Sequence, residues 1–198
     1  MAGSQYHYSN IGADVAGYLL EAGTGLPLDD HSEAEIFGPL GMLNTGWHLA
    51  DHDEHLVAMP YVYERGEFLP FGQFGYPDYP CGQLRSSASD RGRFLAAYAR
   101  GGELEGQRIL EADTIETLWS APFPDVEDTQ GIFWYWTSYG DQAVIGHGGA
   151  DYGVSTALYY DPVADVGIVR LSNIASGPAS GPAMIAIEEA LLEAGRGG

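Results

Sequence analysis

The sequence predicts an α/β protein in which helices flank an antiparallel sheet, and three observations predict it. Apolar runs at Gln142 to Ile145, Val154 to Tyr160 and Val166 to Ser172 lie in one stretch, Tyr135 to Asn173, parted by a glycine-rich bend and by Asp161-Pro162. Short apolar runs parted by turn residues read as a three-stranded antiparallel meander. At the other end, Ile11, Val15, Tyr18, Leu19 and Ala22 have the spacing of a helix with one buried face, and Pro182 to Ala194 reads as a final amphipathic helix begun by proline.

The remaining elements follow in chain order. Ser9 or Asn10 caps the first helix and Gly23 or Gly25 ends it. Ser32 to Phe37 reads as a short second helix closed by Gly38-Pro39-Leu40-Gly41-Met42. Tyr61 to Leu69 alternates around Arg65-Gly66 as a hairpin, and Phe71 to Pro80 is an aromatic, proline- and glycine-rich loop of the length that more often serves function than filler. Ser86 or Ser87 caps a helix from Ala88 to Tyr98 that stops at Gly101-Gly102, and Asp113 or Thr114 caps another from Leu110 to Trp119. Gly177 to Gly181 is a flexible turn before the last helix.

Composition excludes several functions. The 198 residues include 28 acidic against 8 basic ones, all arginine, for a net charge of −20. Binding to nucleic acid or anionic membranes needs clustered cations, so neither is expected. No apolar run approaches the roughly 18 to 20 residues of a membrane span, and the N-terminus has no signal-peptide pattern, so the chain is expected to be soluble. A lysine-free acidic surface suits high salt, where self-repulsion is screened, so a halophilic source is expected, with an ordinary high-GC acidic composition as the plain alternative. The one cysteine, Cys81, excludes an intrachain disulfide. His48, His52 and His55 fall at helical spacing among Asp51, Asp53 and Glu54, but they match no defined zinc spacing and read as an exposed acidic loop.

Two clusters can carry chemistry. Tyr8-Ser9-Asn10 stands at a helix N-terminus, where side chains and free N–H groups point outward together. Gly146-His147-Gly148-Gly149-Ala150 sets a proton donor or acceptor beside glycines that admit a ligand; a bulged hairpin with a surface histidine is the plain alternative.

In order, these signals resemble the serine β-lactamase-like hydrolases, in the branch joining class C β-lactamases, DD-peptidases and related esterases. Tyr8-Ser9-Asn10 is similar to the family's Tyr-x-Asn motif, and Ile36-Phe37-Gly38-Pro39-Leu40-Gly41-Met42 with Thr45 to its IF-PLGM-T segment. Cys81-Gly82-Gln83-Leu84-Arg85-Ser86-Ser87-Ala88-Ser89-Asp90 is similar to its stretch before a helix, His147-Gly148-Gly149 to the His-x-Gly form of Lys-Thr-Gly, and Asn173 closes a strand where the family has L-x-N. The resemblance implies a β-lactamase/transpeptidase-like fold and acyl transfer on an ester, β-lactam or D-alanyl peptide. It makes Tyr8 the proton-relay tyrosine, Asn10 the amide that holds substrate and lysine, and His147 the support of that tyrosine. Gly148 and Gly149 would line the substrate, and the N–H of Ala150 would be half of an oxyanion hole. It implies no metal and no cofactor.

The family's Ser-x-x-Lys nucleophile segment has no counterpart, since there is no lysine and no arginine has a serine three residues before it. The expectation is therefore the C-terminal half to two-thirds of such a domain, incomplete at the N-terminus and inactive alone. Its partners would be a small-molecule or peptide acyl substrate, and either the missing N-terminal half or further copies of itself. A stand-alone, non-catalytic ligand-binding or interaction protein of the same fold is the alternative.

Overall fold

The structure, a computed structural model, describes residues 4–197. Its centre is a four-stranded antiparallel sheet of β5 (Tyr135–Tyr139), β6 (Gln142–Asp151), β7 (Val154–Asp161) and β8 (Val166–Ser172), in that order. The turn after β5 places Gly140 at φ 58°, and the turn after β6 places Gly153 at φ 68°, the left-handed backbone that two-residue hairpins require. Asp161 closes the β7–β8 turn, its Oδ1 accepting the N–H groups of Val163 (2.9 Å) and Ala164 (3.0 Å).

Two expectations need correction. The sheet has a fourth strand, β5, because Tyr135 to Tyr139 pairs residue by residue with Gly146 to Gln142. The glycines from Gly146 to Gly149 are not a bend: β6 runs straight through them and turns only at Tyr152-Gly153. Glycine is a poor strand former, but here cross-strand neighbours occupy the space of a side chain. A Cβ on Gly146 would stand 2.0 Å from the Leu158 carbonyl oxygen, and one on Gly149 would stand 2.4 Å from Thr156 Oγ1.

Each face of the sheet has its own core. On one, Ile145, Leu158 and Tyr160 pack with Trp134 under α3 (Ala88–Ala99), through Leu95 and Tyr98, and under α4 (Ala112–Trp119), through Ile115. On the other, Val144, Ala157, Tyr159 and Ile168 pack against Leu192 of α5 (Gly181–Arg196). A third cluster, Phe37, Leu40, Met42, Ala97 and Leu104, seats the Ile36-to-Met42 segment against α3. Asp90, buried in α3, accepts from Asn44 N (2.7 Å) and Thr45 Oγ1 (3.0 Å), while Ser87 caps the helix by accepting from Asp90 N. Thus Thr45, Ser87 and Asp90 form a clamp that fixes a helix N-terminus.

The first helix, α1 (Asn10–Thr24), starts at Ser9, whose Oγ accepts from Gly12 N (3.1 Å), and stops at Gly25 with φ 74°. Its apolar face is not buried: Ile11 is 63% exposed and Tyr18 68%, with Val15 and Leu19 also open, so that expectation is corrected. What α1 packs on is the turn Tyr79–Cys81, with Gly17 against Pro80, and α2 (Leu28–Ser32), which continues as a wider turn to Phe37. Hairpin β1 (Tyr61–Glu64) and β2 (Glu67–Pro70) forms around Arg65-Gly66 as expected. A short pair, β3 (Glu103–Leu104) and β4 (Gln107–Arg108), was not expected. Helix α4 begins after Glu111 without a side-chain cap; neither Asp113 nor Thr114 caps it.

Candidate active site

The site is built on the edge of β6. Strand β5 pairs with β6 only as far as Gly146, opposite Tyr135, so beyond that residue β6 has a partner on the β7 side alone. Both two-residue hairpins close on hydrogen-bonded pairs, Tyr139 with Gln142 and Asp151 with Val154. Alternation then sends the N–H and C=O groups of Gly146, Gly148 and Ala150 away from β7, toward the open edge. A bond confirms the parity: Gly148 N donates to the Tyr135 hydroxyl at 3.2 Å. Ala150 N–H has the same direction, with no strand beside it among the described residues.

His147 lies within this edge. Its Nδ1 stands 2.5 Å from the Gly148 carbonyl oxygen. A carbonyl only accepts, so Nδ1 carries the proton in this contact, which leaves Nε2 as the ring atom that faces other partners. The ring is flanked by two tyrosines: Tyr135, edge-on at 5.2 Å between centroids, and Tyr8 at 6.2 Å. Tyr8 and His147 therefore meet at one cleft from opposite ends of the sequence. Tyr8 is fixed just ahead of the α1 N-terminus, and Tyr6 Oη donates to Gln130 Oε1 (2.9 Å), tying that segment to the chain entering β5.

This cleft, about 640 Å³, is lined by Tyr6, Tyr8, Tyr135, His147 and the Gly148-to-Ala150 edge. Asn10 is the first residue of α1, exposed, and is not part of the lining. Burial raises the Tyr8 hydroxyl above its ordinary pKa, and Tyr6, Cys81 and Tyr135 push it the same way. A tyrosine so placed holds its proton at neutral pH; a cation beside it would be needed to release it.

Beneath the edge lies a largely buried polar cluster that sequence reasoning missed. Tyr135 and Tyr159 hydroxyls are 2.6 Å apart, the Tyr159 ring stands edge-on to Tyr139, and Tyr139 donates to Glu188 of α5. Glu188, buried, accepts from Arg170 Nε (2.6 Å), whose Nη1 also donates to the Ser155 carbonyl (3.2 Å). Burial first, and then Glu188 beside Tyr139 and Tyr135 beside Tyr159, push the two hydroxyls well above the ordinary tyrosine value, while the Arg170 cation opposes the shift at Tyr139. Only the strand parity of Tyr159 and Arg170, once the register is known, could have signalled that these side chains share a face.

Other candidates fall elsewhere. His48 Nε2 lies 3.5 Å from Asp29 Oδ2, with its ring against Tyr79. Among the described residues, the ligand-type atoms that gather within 4.8 Å belong to Asp14, Asp78 and Cys81, not to the 48–55 segment. A second groove of about 870 Å³ opens on the other side of His147, with Leu158, Val169 and Leu171 in its floor and Phe74 and Tyr76 on its wall. The loop bearing that wall is pinned: Arg85 donates to Phe74 O (2.8 Å), and Gln83 Oε1 accepts from Tyr76 N (2.8 Å).

A meander sheet covered by α3 and α4 on one face and α5 on the other, with a glycine-rich strand edge facing a tyrosine at a helix start, defines a β-lactamase/transpeptidase-like fold. The sequence model of the family described as Beta-lactamase matches residues 2–192, and the chain belongs to this family of hydrolases. A curated relative, Beta-lactamase-like protein 2 of Dictyostelium discoideum, is 23% identical over 143 residues, 65% of this chain and 25% of that protein. The octameric penicillin-binding protein homologue from Pyrococcus abyssi superposes with a TM-score of 0.76 at 23% identity, over 98% of this chain and 43% of that one. The D-amino acid amidase from Ochrobactrum anthropi SV3 superposes at 0.75 and 24%, over 95% and 56%. The chain thus spans about half the length of these solved structures and a quarter of the curated relative.

Proposed function

We propose that this chain carries the electrophile-binding and proton-relay half of a serine acyl-transfer site, and that the nucleophile comes from a Ser-x-x-Lys segment the 198 residues do not contain. The observation that carries this reading is the Ala150 N–H on the β6 edge, which has no partner among the described residues, with His147 and Tyr8 brought together beside it. An N–H fixed by a strand and facing an open cleft is the kind of preorganised donor that stabilises a developing oxyanion. In the reaction, the serine Oγ bonds to the substrate carbonyl carbon while its proton passes to the Tyr8–lysine pair, and the oxyanion so formed is held by Ala150 N–H. The oxyanion then re-forms the C=O, the bond from carbon to the leaving group breaks, the leaving group takes the relayed proton, and water later hydrolyses the acyl-serine ester. The lysine supplies the cation that Tyr8 lacks here. His147 Nε2 accepts from the tyrosine or from substrate, and Gly148 and Gly149 leave room for the acyl group; Asn10, exposed and outside the cleft lining, takes no part in this step. The substrate is an ester, amide, β-lactam or D-alanyl peptide.

The uncovered face of α1 and the coverage of about half of the related structures support a domain completed by further chain. The test is turnover by the isolated chain. It is expected to hydrolyse neither nitrocefin nor p-nitrophenyl esters above a Tyr8→Phe control, and the coding DNA ahead of codon 1 is expected to encode Ser-x-x-Lys in frame. A fluorophosphonate adduct on Ser9, Ser86 or Ser87 with turnover would overturn it. An upstream sequence without that motif would favour a non-catalytic binding protein.

A further inference from the structure

We infer that Tyr135 restricts the β6 edge to ligands that present a single acyl unit, and that it excludes extended peptides from pairing along the strand. The inference rests on the reading of this edge as the ligand site. An extended ligand recognises a strand by alternate backbone groups, so the edge can be counted group by group. Gly146 is taken by the backbone of Tyr135. The Gly148 N–H is taken by the Tyr135 hydroxyl at 3.2 Å, and the Gly148 carbonyl by His147 Nδ1. The strand then ends at Asp151, before the Tyr152-Gly153 turn. Among the described residues, Ala150 alone on this edge keeps both its N–H and its C=O for a ligand, which is enough for one carbonyl and one amide.

The Tyr135 hydroxyl is held in this position rather than resting there. It lies 2.6 Å from the Tyr159 hydroxyl, on a side chain that is 7% exposed, and its ring stands edge-on to both His147 and Tyr159. It fills the place of a partner strand at Gly148, so a longer ligand must displace it before it can form a second rung.

The test is amide NMR on the full chain, wild type and Tyr135→Phe, titrated with N-acetylalaninamide and with N-acetyltrialaninamide. In the wild type, the Gly148 amide is expected to be protected from exchange and the Ala150 amide to exchange freely. Both probes should shift the Ala150 resonance with the same affinity. In Tyr135→Phe, which keeps the ring and its packing, Gly148 should lose protection, and the longer probe alone should bind roughly 2- to 10-fold more tightly, as one added backbone hydrogen bond allows. A wild-type chain that already prefers the longer probe, or a Gly148 amide that exchanges as fast as that of Ala150, overturns the role of Tyr135. If neither probe moves Ala150, the edge is not the ligand site, and the reading beneath this inference fails with it.

Discussion

Helices α1 and α5 stand at opposite ends of the chain with similar amphipathic patterns, and the structure treats them differently. Helix α5 buries Met184, Glu188 and Leu192 against the sheet, and Leu192 is wholly inaccessible. Helix α1 buries only Gly17, and its apolar residues face outward. Periodicity specifies that a helix has an apolar face; whether that face is covered depends on which partner the chain provides. For α5 the partner is the sheet formed just before it in sequence. For α1 the described residues provide only a turn and a five-residue helix.

The largest expected effect separates the two helices directly. Leu192→Ala should cost about 2–5 kcal/mol in denaturant unfolding, as for other fully buried leucines, whereas Leu19→Ala should stay within about 0.5 kcal/mol. Equal costs would mean that α1 is covered in solution and would remove the contrast.

Next in size is the ion pair that fixes the end of α5. Asp161 accepts from Arg196 Nε (2.9 Å) and Nη2 (2.7 Å). Burial alone would raise its pKa, but the N–H groups of Ala164 and Val163 and the Arg196 guanidinium together hold it below the ordinary value. A depressed folded-state pKa contributes stability above the unfolded value, near 3.9, and that contribution is lost as pH falls through the folded value. Asp161→Asn should therefore cost about 1–3 kcal/mol at neutral pH, discounted because Arg196 is partly exposed, and should flatten the loss of Tm below about pH 4. A variant with an unchanged acid limb would show that other carboxylates govern it.

A smaller effect tests the open face of α1. The isolated chain should bind a hydrophobic dye or self-associate in light scattering, and Tyr18→Glu with Leu19→Glu should reduce either signal severalfold without lowering Tm. A compact monomer that binds no dye would argue that the exposed stripe is an ordinary surface. The smallest effect is expected from salt. With a net charge of −20, the Tm should rise by a few degrees between about 0.1 and 1 M KCl, as the Debye length shortens from about 10 to 3 Å. A flat or falling Tm would dismiss adaptation to salt.

Much of this was legible in the sequence because it depended on local chemistry. Ser9, Gly25 and Ser87 act as caps, Arg65-Gly66 turns a hairpin, and Tyr8 and His147 converge. What stayed hidden depended on neighbours distant in sequence. The run Gly146 to Gly149 reads as a bend until Leu158 and Thr156 are seen to fill the space of the absent side chains. Strand β5, Tyr-Trp-Thr-Ser-Tyr, has no clean apolar alternation, because its tyrosine rings pack on the core while their hydroxyls bond to Tyr159 and Glu188. Asn10 matches its motif, yet as the exposed first residue of α1 it lies outside the cleft lining.

The separation of Tyr8 from His147 along the chain has a kinetic consequence. Strands β5 to β8 are joined by tight turns, so the meander can zip from hairpin to hairpin with little loop-closure entropy. The approach of Tyr8 to His147 closes a loop of roughly two-thirds of the polypeptide, and it is secured by an exposed helix and the Tyr6–Gln130 bond. During refolding the strand edge should form early and wait, with the tyrosine arriving last. Under mild denaturant the order should reverse, and the cleft should dissolve while the sheet behind it is still intact.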